Sequence, residues 1–285
     1  MKNGVAFIFD KGNELKDLAA LGMYPKHILL GGYELEEQNA AIIRDYSENI
    51  TESICVTHVP LNSLTNMPVL SRKILINLNS NQQIKKVGLK APALNFLFNY
   101  FNNIICLSSI QVYPLVAFGV HETKIRVIPL GINDDVIRIA ESRKKTGDYY
   151  ITSGGDAGRE FNFNIKDKKI KIEAFGNHNK LSYLNYCIKL VNSKGLILKI
   201  NPTPESSDLS GSVTFLEGLV AKRPVFINPQ PWLKDYPNPN VYVYKSDKEL
   251  EKLLKKNIQW KKCDISYLLM PRYLKELKDV IYNTQ

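Results

Sequence analysis

Short apolar runs rich in Val, Ile and Phe alternate with longer segments of helical period along this 285-residue chain. A continuous or alternating apolar run predicts a strand, and apolar residues three to four positions apart predict a helix. From the start, "VAFIFD" reads as a strand and "NELKDLAALG" as a helix ended by Gly22. "HILLGG" is a strand, and "ELEEQNAAIIRDY" a helix with acids in its first turn. Strands follow at "SICVTHVP" and "KILINL", then helix-like "LNFLFNYF", strand "IICLSS", helix "IQVYPLVAFGV" and strand "KIRVIPLG". Residues 133–147, "NDDVIRIAESRKKTG", are polar and charged and form the best boundary. Beyond them the pattern restarts: strands "DYYITSGG" and "KIKIEAFG", helix "LSYLNYCIKLVNS", strand "GLILKI", helix "GSVTFLEGLVAK", and strands "RPVFINP" and "NVYVYK". A Lys-rich helical tail closes the chain from about Lys248 to Tyr282.

Strands alternating with helices predict parallel sheets covered by helices on both faces. Two such series predict an α/β protein of two doubly wound domains, residues 1–132 and residues 133–265, followed by a closing helix at 266–285. In such sheets ligands bind beyond the carboxyl ends of the strands, so the loops after strands are where chemistry is expected.

Composition narrows the classes. No apolar run approaches the ~20 residues that span a bilayer, and no charged leader with a cleavage site precedes "VAFIFD". A cytoplasmic protein is expected, with peripheral membrane contact as a variant. The cysteines, Cys55, Cys106, Cys187 and Cys263, are far apart, and the first three sit in apolar runs that predict buried free thiols. No His or Cys spacing suits zinc; no metal site is expected, and no cofactor. The net charge of +10 is carried mostly by residues 134–285. That excess suits an anionic ligand, an anionic lipid surface or nucleic acid, or else solvated faces such as those of Lys166–Lys171 and Lys252–Lys262. No nucleic-acid-binding motif accompanies it, and a nucleic-acid partner is not expected.

Two loops carry candidate chemistry. "SGGDAGREF" supplies three glycines, Gly155 among them, whose amides can approach an anion, and Arg159, a fixed charge with forked donors. A tight turn with a surface Arg is the alternative. "SSDLSGS" leads into the helix of "GSVTFLEGLVAKRPVF", whose first amides make a phosphate site. Glu217 lies in that apolar helix, where its side chain leans back toward the N-terminus and can accept hydrogen bonds from a pair of ribose hydroxyls. Pairing with a neighbouring Lys, or simple solvation, is the alternative.

Together these stretches resemble a family. "GSVTFLEGLVAKRPVF" looks like the donor-site helix of GT-B glycosyltransferases, especially family 4. "KIRVIPLGIN" is similar to the strand that leaves their first domain, and "SGGDAGREF" to the Gly-rich loop that opens the second. The resemblance covers roughly residues 100–230 and implies two facing Rossmann-like domains with a donor cleft between them, and a C-terminal helix that crosses back to the first. It implies transfer of a sugar from a UDP- or GDP-linked donor to a hydroxyl of a glycan, lipid-linked or protein acceptor, with retained anomeric configuration and no required metal. By position Glu217 would hold the ribose. The amides of Gly211, Ser212 and Val213, with the Thr214 hydroxyl, would face the diphosphate. Arg159 would neutralise the charge of the leaving nucleoside diphosphate. Gly12, after the first strand, would pass near the donor phosphate, and His58, at the end of "CVTHVP", would lie near the transferred sugar. A satisfied structural His is the alternative for His58. The aromatic run Phe96, Phe98, Tyr100 and Phe101 reads as core packing, with contact to a lipid-linked acceptor as its alternative.

The chain departs from the family pattern in several places. Leu209 stands where many members carry a second acid, with Asp208 beside it. Arg159 has no adjacent Lys, and Lys166 is the candidate substitute. The usual Ala after the Glu is Gly218, and the Gly before Pro-Val is Arg223. The stretch between "GREF" and "KIKIEAFG" is too short for a full helix, which implies a trimmed donor domain. Two rivals remain: a GT-B epimerase acting on a nucleotide sugar, and a non-catalytic module binding a nucleotide or nucleic acid.

Overall fold

The computed structural model describes residues 4–9, 50–57, 72–77, 95–96, 98–153, 162–175, 182–201, 209 and 211–282. The chain divides into two compact units, one of residues 1–130 with 270–285, the other of residues 131–269.

The first unit holds a parallel sheet of five strands, β1 (Gly4–Phe9), β2 (Ile50–Thr57), β3 (Arg72–Asn77), β4 (Asn103–Cys106) and β5 (Ile125–Val127), adjacent in chain order. Its described strands therefore run in one direction without a reversal of order. Leu75, Ile104 and Cys106 pack with Phe98, Phe101, Leu115 and Val120 in an apolar core. Leu115 belongs to α1 (Val112–Ala117), which continues from a 3-10 turn at Ser109–Gln111. Gln111 fastens this turn to the sheet. Its Oε1 accepts from the Leu107 N–H (2.7 Å), and its Nε2 donates to the Asn77 carbonyl (3.0 Å). The aromatic run near residue 98 divides by helical period. Phe98 and Phe101 are fully buried, whereas Phe96 is 73% exposed and Tyr100 lies at the surface under the Lys73 ammonium.

The second unit begins with a difference from the sequence expectation. Residues 133–147 contain a helix, α2 (Asp135–Glu141), which buries only Ile137 and Ala140 and so reads as polar. The sheet follows: β6 (Tyr150–Ser153), β7 (Ile172–Phe175), β8 (Leu196–Leu198), β9 (Val225–Ile227) and β10 (Val241–Val243), all parallel, in the order β10-β9-β8-β6-β7. The chain goes outward from β6 to β7, returns past β6 to β8, and continues the other way. The order reverses between β6 and β8, and this is where doubly wound sheets bind ligands.

Alternation along the strands assigns the two faces. Tyr150, Ile197 and Phe226 point to one face, under α5 (Asp247–Lys255) with its buried Leu250 and Leu254. The Ser246 hydroxyl caps α5 by accepting from the Glu249 N–H. Residues 162–171 cover the same face without forming a helix. Phe163, Ile165 and Ile170 turn inward, and carboxylates of α5 satisfy the backbone outside. The Asn164 N–H donates to Asp247 Oδ2 (2.8 Å) and the Lys166 N–H to Glu251 Oε2 (3.1 Å). The other face receives α4 (Ser212–Val220), where Gly218 meets Leu196 and Val225.

The tail is not one helix. α5 ends at Lys255 and is closed by the left-handed Asn257 (φ +46°), and α6 (Met270–Tyr282) follows only after a 3-10 turn at Ser266–Leu268. α6 belongs to the first unit, where Tyr273 and Leu277 are buried and Arg272 Nη2 donates to the Pro129 carbonyl (2.7 Å). Among the described residues, no helix is long and apolar enough to cross a membrane.

Candidate functional site

The switch between β6 and β8 gathers the sequence candidates of the second unit. β6 leads into residues 154–161, which hold Gly155 and Arg159. β8 leads through Ile200 to Gly211 and α4. Gly155 and Arg159 lie outside the described residues, as do Gly12 and His58 of the first unit.

Gly211 begins the helix with φ +77°, a left-handed turn that an L side chain resists. A Cβ there would also stand 2.3 Å from Ile200 Cδ1. The turn closes with the Ser212 N–H donating to the Leu209 carbonyl (3.0 Å), and the Phe215 N–H donating to Gly211 (2.9 Å). The Ser212 amide is thus spent on its own turn, and only Gly211 and Val213 of the three expected amides carry no hydrogen bond among the described residues. The Ser212 side chain takes a place not expected of it. The residue is 3% exposed, and its hydroxyl has no hydrogen-bond partner among the described residues. Thr214, also buried, holds the next position of the turn.

α4 is buried nearly all round, with Val213 its one half-exposed residue. Each side meets a different partner. Phe215 packs edge-on against Trp232, with ring centroids 5.1 Å apart. Gly218 lies so close to the sheet that a Cβ would come within 2.6 Å of Leu196 Cδ2 and 2.9 Å of Val225 Cγ2. This approach explains why the usual Ala is absent. Glu217, 3% exposed, faces α3 (Tyr183–Asn192). Its charge is felt there: burial first, and the Glu217 carboxylate second, raise the Tyr183 hydroxyl above its ordinary pKa. The same two causes push the Cys187 thiol up to about 12, against a hydrogen bond from Tyr183. Both groups therefore stay neutral at physiological pH.

Past the end of α4 the left-handed residue is Lys222 (φ +55°), one position before Arg223. The place that calls for glycine is therefore position 222, which corrects the expectation at Arg223. The Arg223 guanidinium is half-buried, donates to the Val191 carbonyl, and has its pKa lowered by burial.

Lys166 does not join this group. Its side chain is exposed, and its segment covers the face opposite α4. Sequence reasoning missed Lys199, which follows β8 directly. Its ammonium donates to the Asn162 carbonyl (3.1 Å) and pairs with Asp247 (3.6 Å), so it secures the segment that leaves the Arg159 loop. Its position just beyond an apolar strand was the available signal.

No protein-family model matches this chain, and no curated protein does. Solved structures do. Anabaena Alr3699/HepE in complex with UDP is similar over 100% of both chains, with a TM-score of 0.59 at 8% identity. A glycosyltransferase from Rickettsia africae is similar over 98% of this chain and 90% of its own, with a TM-score of 0.52 at 14% identity. The pneumococcal O-GlcNAc transferase GtfA in complex with UDP and GlcNAc is similar over 82% of this chain and 57% of its own, with a TM-score of 0.52 at 10% identity. The fold is GT-B, as the motif resemblance implied.

Proposed function

We propose that the chain is a glycosyltransferase that takes a sugar from a nucleoside diphosphate donor and passes it to an acceptor hydroxyl. The observation that carries this reading is the pairing, on one helix at the β6/β8 switch, of the buried Glu217 with a helix start whose Gly211 and Val213 amides carry no hydrogen bond among the described residues. Ribose hydroxyls are the donors that Glu217 would take at such a depth, and a diphosphate is the acceptor that the start of α4 would hold. UDP in the HepE and GtfA structures favours a uridine donor.

In this reading the amides of Gly211 and Val213, with the Ser212 hydroxyl, receive the diphosphate. Arg159 neutralises the charge that grows on it as the sugar leaves. These groups supply the role that a divalent metal would otherwise fill, and turnover needs none. Retention of anomeric configuration belongs to the same proposal, as does a place for His58 beside the transferred sugar. The acceptor is a glycan, a lipid-linked sugar or a protein, and the exposed Phe96 suits a lipid-linked one.

A thermal-stabilisation screen with UDP, GDP and their common sugar conjugates tests the reading. A ligand that binds only the folded protein raises its Tm. Stabilisation by one nucleoside diphosphate and its sugar conjugate, with sugar release or transfer that survives excess EDTA, is expected. No stabilisation by any of them would overturn the assignment, and a complete loss in EDTA that metal restores would overturn metal independence.

A further inference from the structure

β8 ends at Leu198, yet Ile200, two residues on, is held as firmly as a strand residue. Asn228, the residue after β9, does this with its side chain. Its Oδ1 accepts from the Ile200 N–H (2.8 Å), and its Nδ2 donates to the Ile200 carbonyl (2.8 Å). Gln230 adds a third bond from Nε2 to the same carbonyl (2.9 Å). The Asn228 N–H continues the ladder to the Leu198 carbonyl (3.4 Å). A primary amide presents a donor and an acceptor on one edge, so it pairs with a peptide as a neighbouring strand would.

Ile200 is where this clamp acts on the candidate site. Its side chain, 1% exposed, lies directly under Gly211, where there is no room for a Cβ. A shift of Ile200 would therefore shift the left-handed turn that sets out the Gly211 and Val213 amides and the Ser212 hydroxyl. We propose that Asn228, backed by Gln230, is a positioning residue that holds the phosphate-binding turn in place through Ile200. Neither side chain touches the diphosphate. The inference rests on the assignment of that turn to a nucleoside diphosphate.

Calorimetric titration of the full chain with UDP and uridine, and with GDP and guanosine, tests it. Asn228→Ala removes both amide bonds to Ile200, and Gln230→Ala removes one while keeping the pair. Affinity for the diphosphate should fall about tenfold in Asn228→Ala and less in Gln230→Ala. Affinity for the matching nucleoside, held by Glu217 farther along the helix, should change little. Asn228→Asp gives a further readout. Ionised, its carboxylate faces the Ile200 carbonyl and has lost the donor. Protonated, it again offers one donor and one acceptor, so diphosphate affinity relative to wild type should recover as pH is lowered. Unchanged diphosphate affinity in Asn228→Ala and Asn228→Asp, with wild type binding normally, would overturn the positioning role alone. So would an equal loss for nucleoside and diphosphate that follows the fall in Tm. Wild type that binds neither UDP nor GDP would overturn the site itself, and the positioning role with it.

Discussion

Replacing Gly211 by Ala tests the turn on which the site depends, and the structure gives the size of the effect. A left-handed conformation costs a non-glycine residue about 1–2 kcal/mol. The new Cβ would also meet Ile200 Cδ1 at 2.3 Å. That atom ends a flexible side chain, but Ile200 is packed and clamped. Pushing it off its rotamer costs about 0.5–1.5 kcal/mol. Ala also restrains the unfolded chain and returns about 0.4–1 kcal/mol. The net loss is about 0.5–3 kcal/mol, or a fall in Tm of about 1–12 °C at roughly 2–4 °C per kcal/mol for a unit near this size. Gly211→Asn separates the contributions, because Asn tolerates the left-handed region but brings the same Cβ. Urea and thermal denaturation should rank wild type above Gly211→Asn, and Gly211→Asn above Gly211→Ala. An Ala variant as stable as wild type would refute both the strain and the contact with Ile200.

Further outcomes are expected. Glu217→Ala should weaken the best nucleotide by about 10- to 150-fold, the loss of charge-assisted hydrogen bonds worth roughly 1.5–3 kcal/mol, and unchanged affinity by calorimetry would remove the ribose role. Arg159→Ala should weaken nucleoside diphosphate binding but leave nucleoside binding nearly intact, and equal losses would mean that its partner is not phosphate. His58→Ala should cut turnover more than it lowers Tm, and the reverse pattern would make His58 structural. In the native protein iodoacetamide should label half-exposed Cys263 before buried Cys106 and Cys187, as peptide mapping would reveal. The raised thiol of Cys187 contributes stability that is intact below the unfolded pKa of about 8.5, and it is lost as pH rises toward about 12.

Much of the second unit could be read from the sequence because its signals are local. The apolar runs around Ile151, Ile197 and Phe226 mark strands, and Gly211 and Pro224 bracket the helix that carries Glu217. The short stretch after the Arg159 loop proved non-helical for the reason anticipated, its length. α2 escaped notice because a helix on the flank of a sheet needs few apolar residues, here Ile137 and Ala140. The split of the tail turns on Asn257 and on α6 joining a distant part of the chain. Lys166 was a plausible phosphate cation only until strand alternation put its segment on the far face of the sheet. The Asn228 clamp has no local sign at all, since it depends on where β9 ends relative to β8, 28 residues away in the chain.

The first unit is not contiguous in the chain, because its last helix, α6, is made after the whole of the second unit. During synthesis residues 131–269 leave the ribosome as a complete set and can fold at once. The first unit must wait, with the places of Tyr273 and Leu277 unfilled, until α6 has followed. A chaperone that shields the early sheet, or a protease that samples it, therefore acts within a window as long as the translation of the second unit. A premature stop just before Met270 would leave a sound second unit attached to a first unit that never closes.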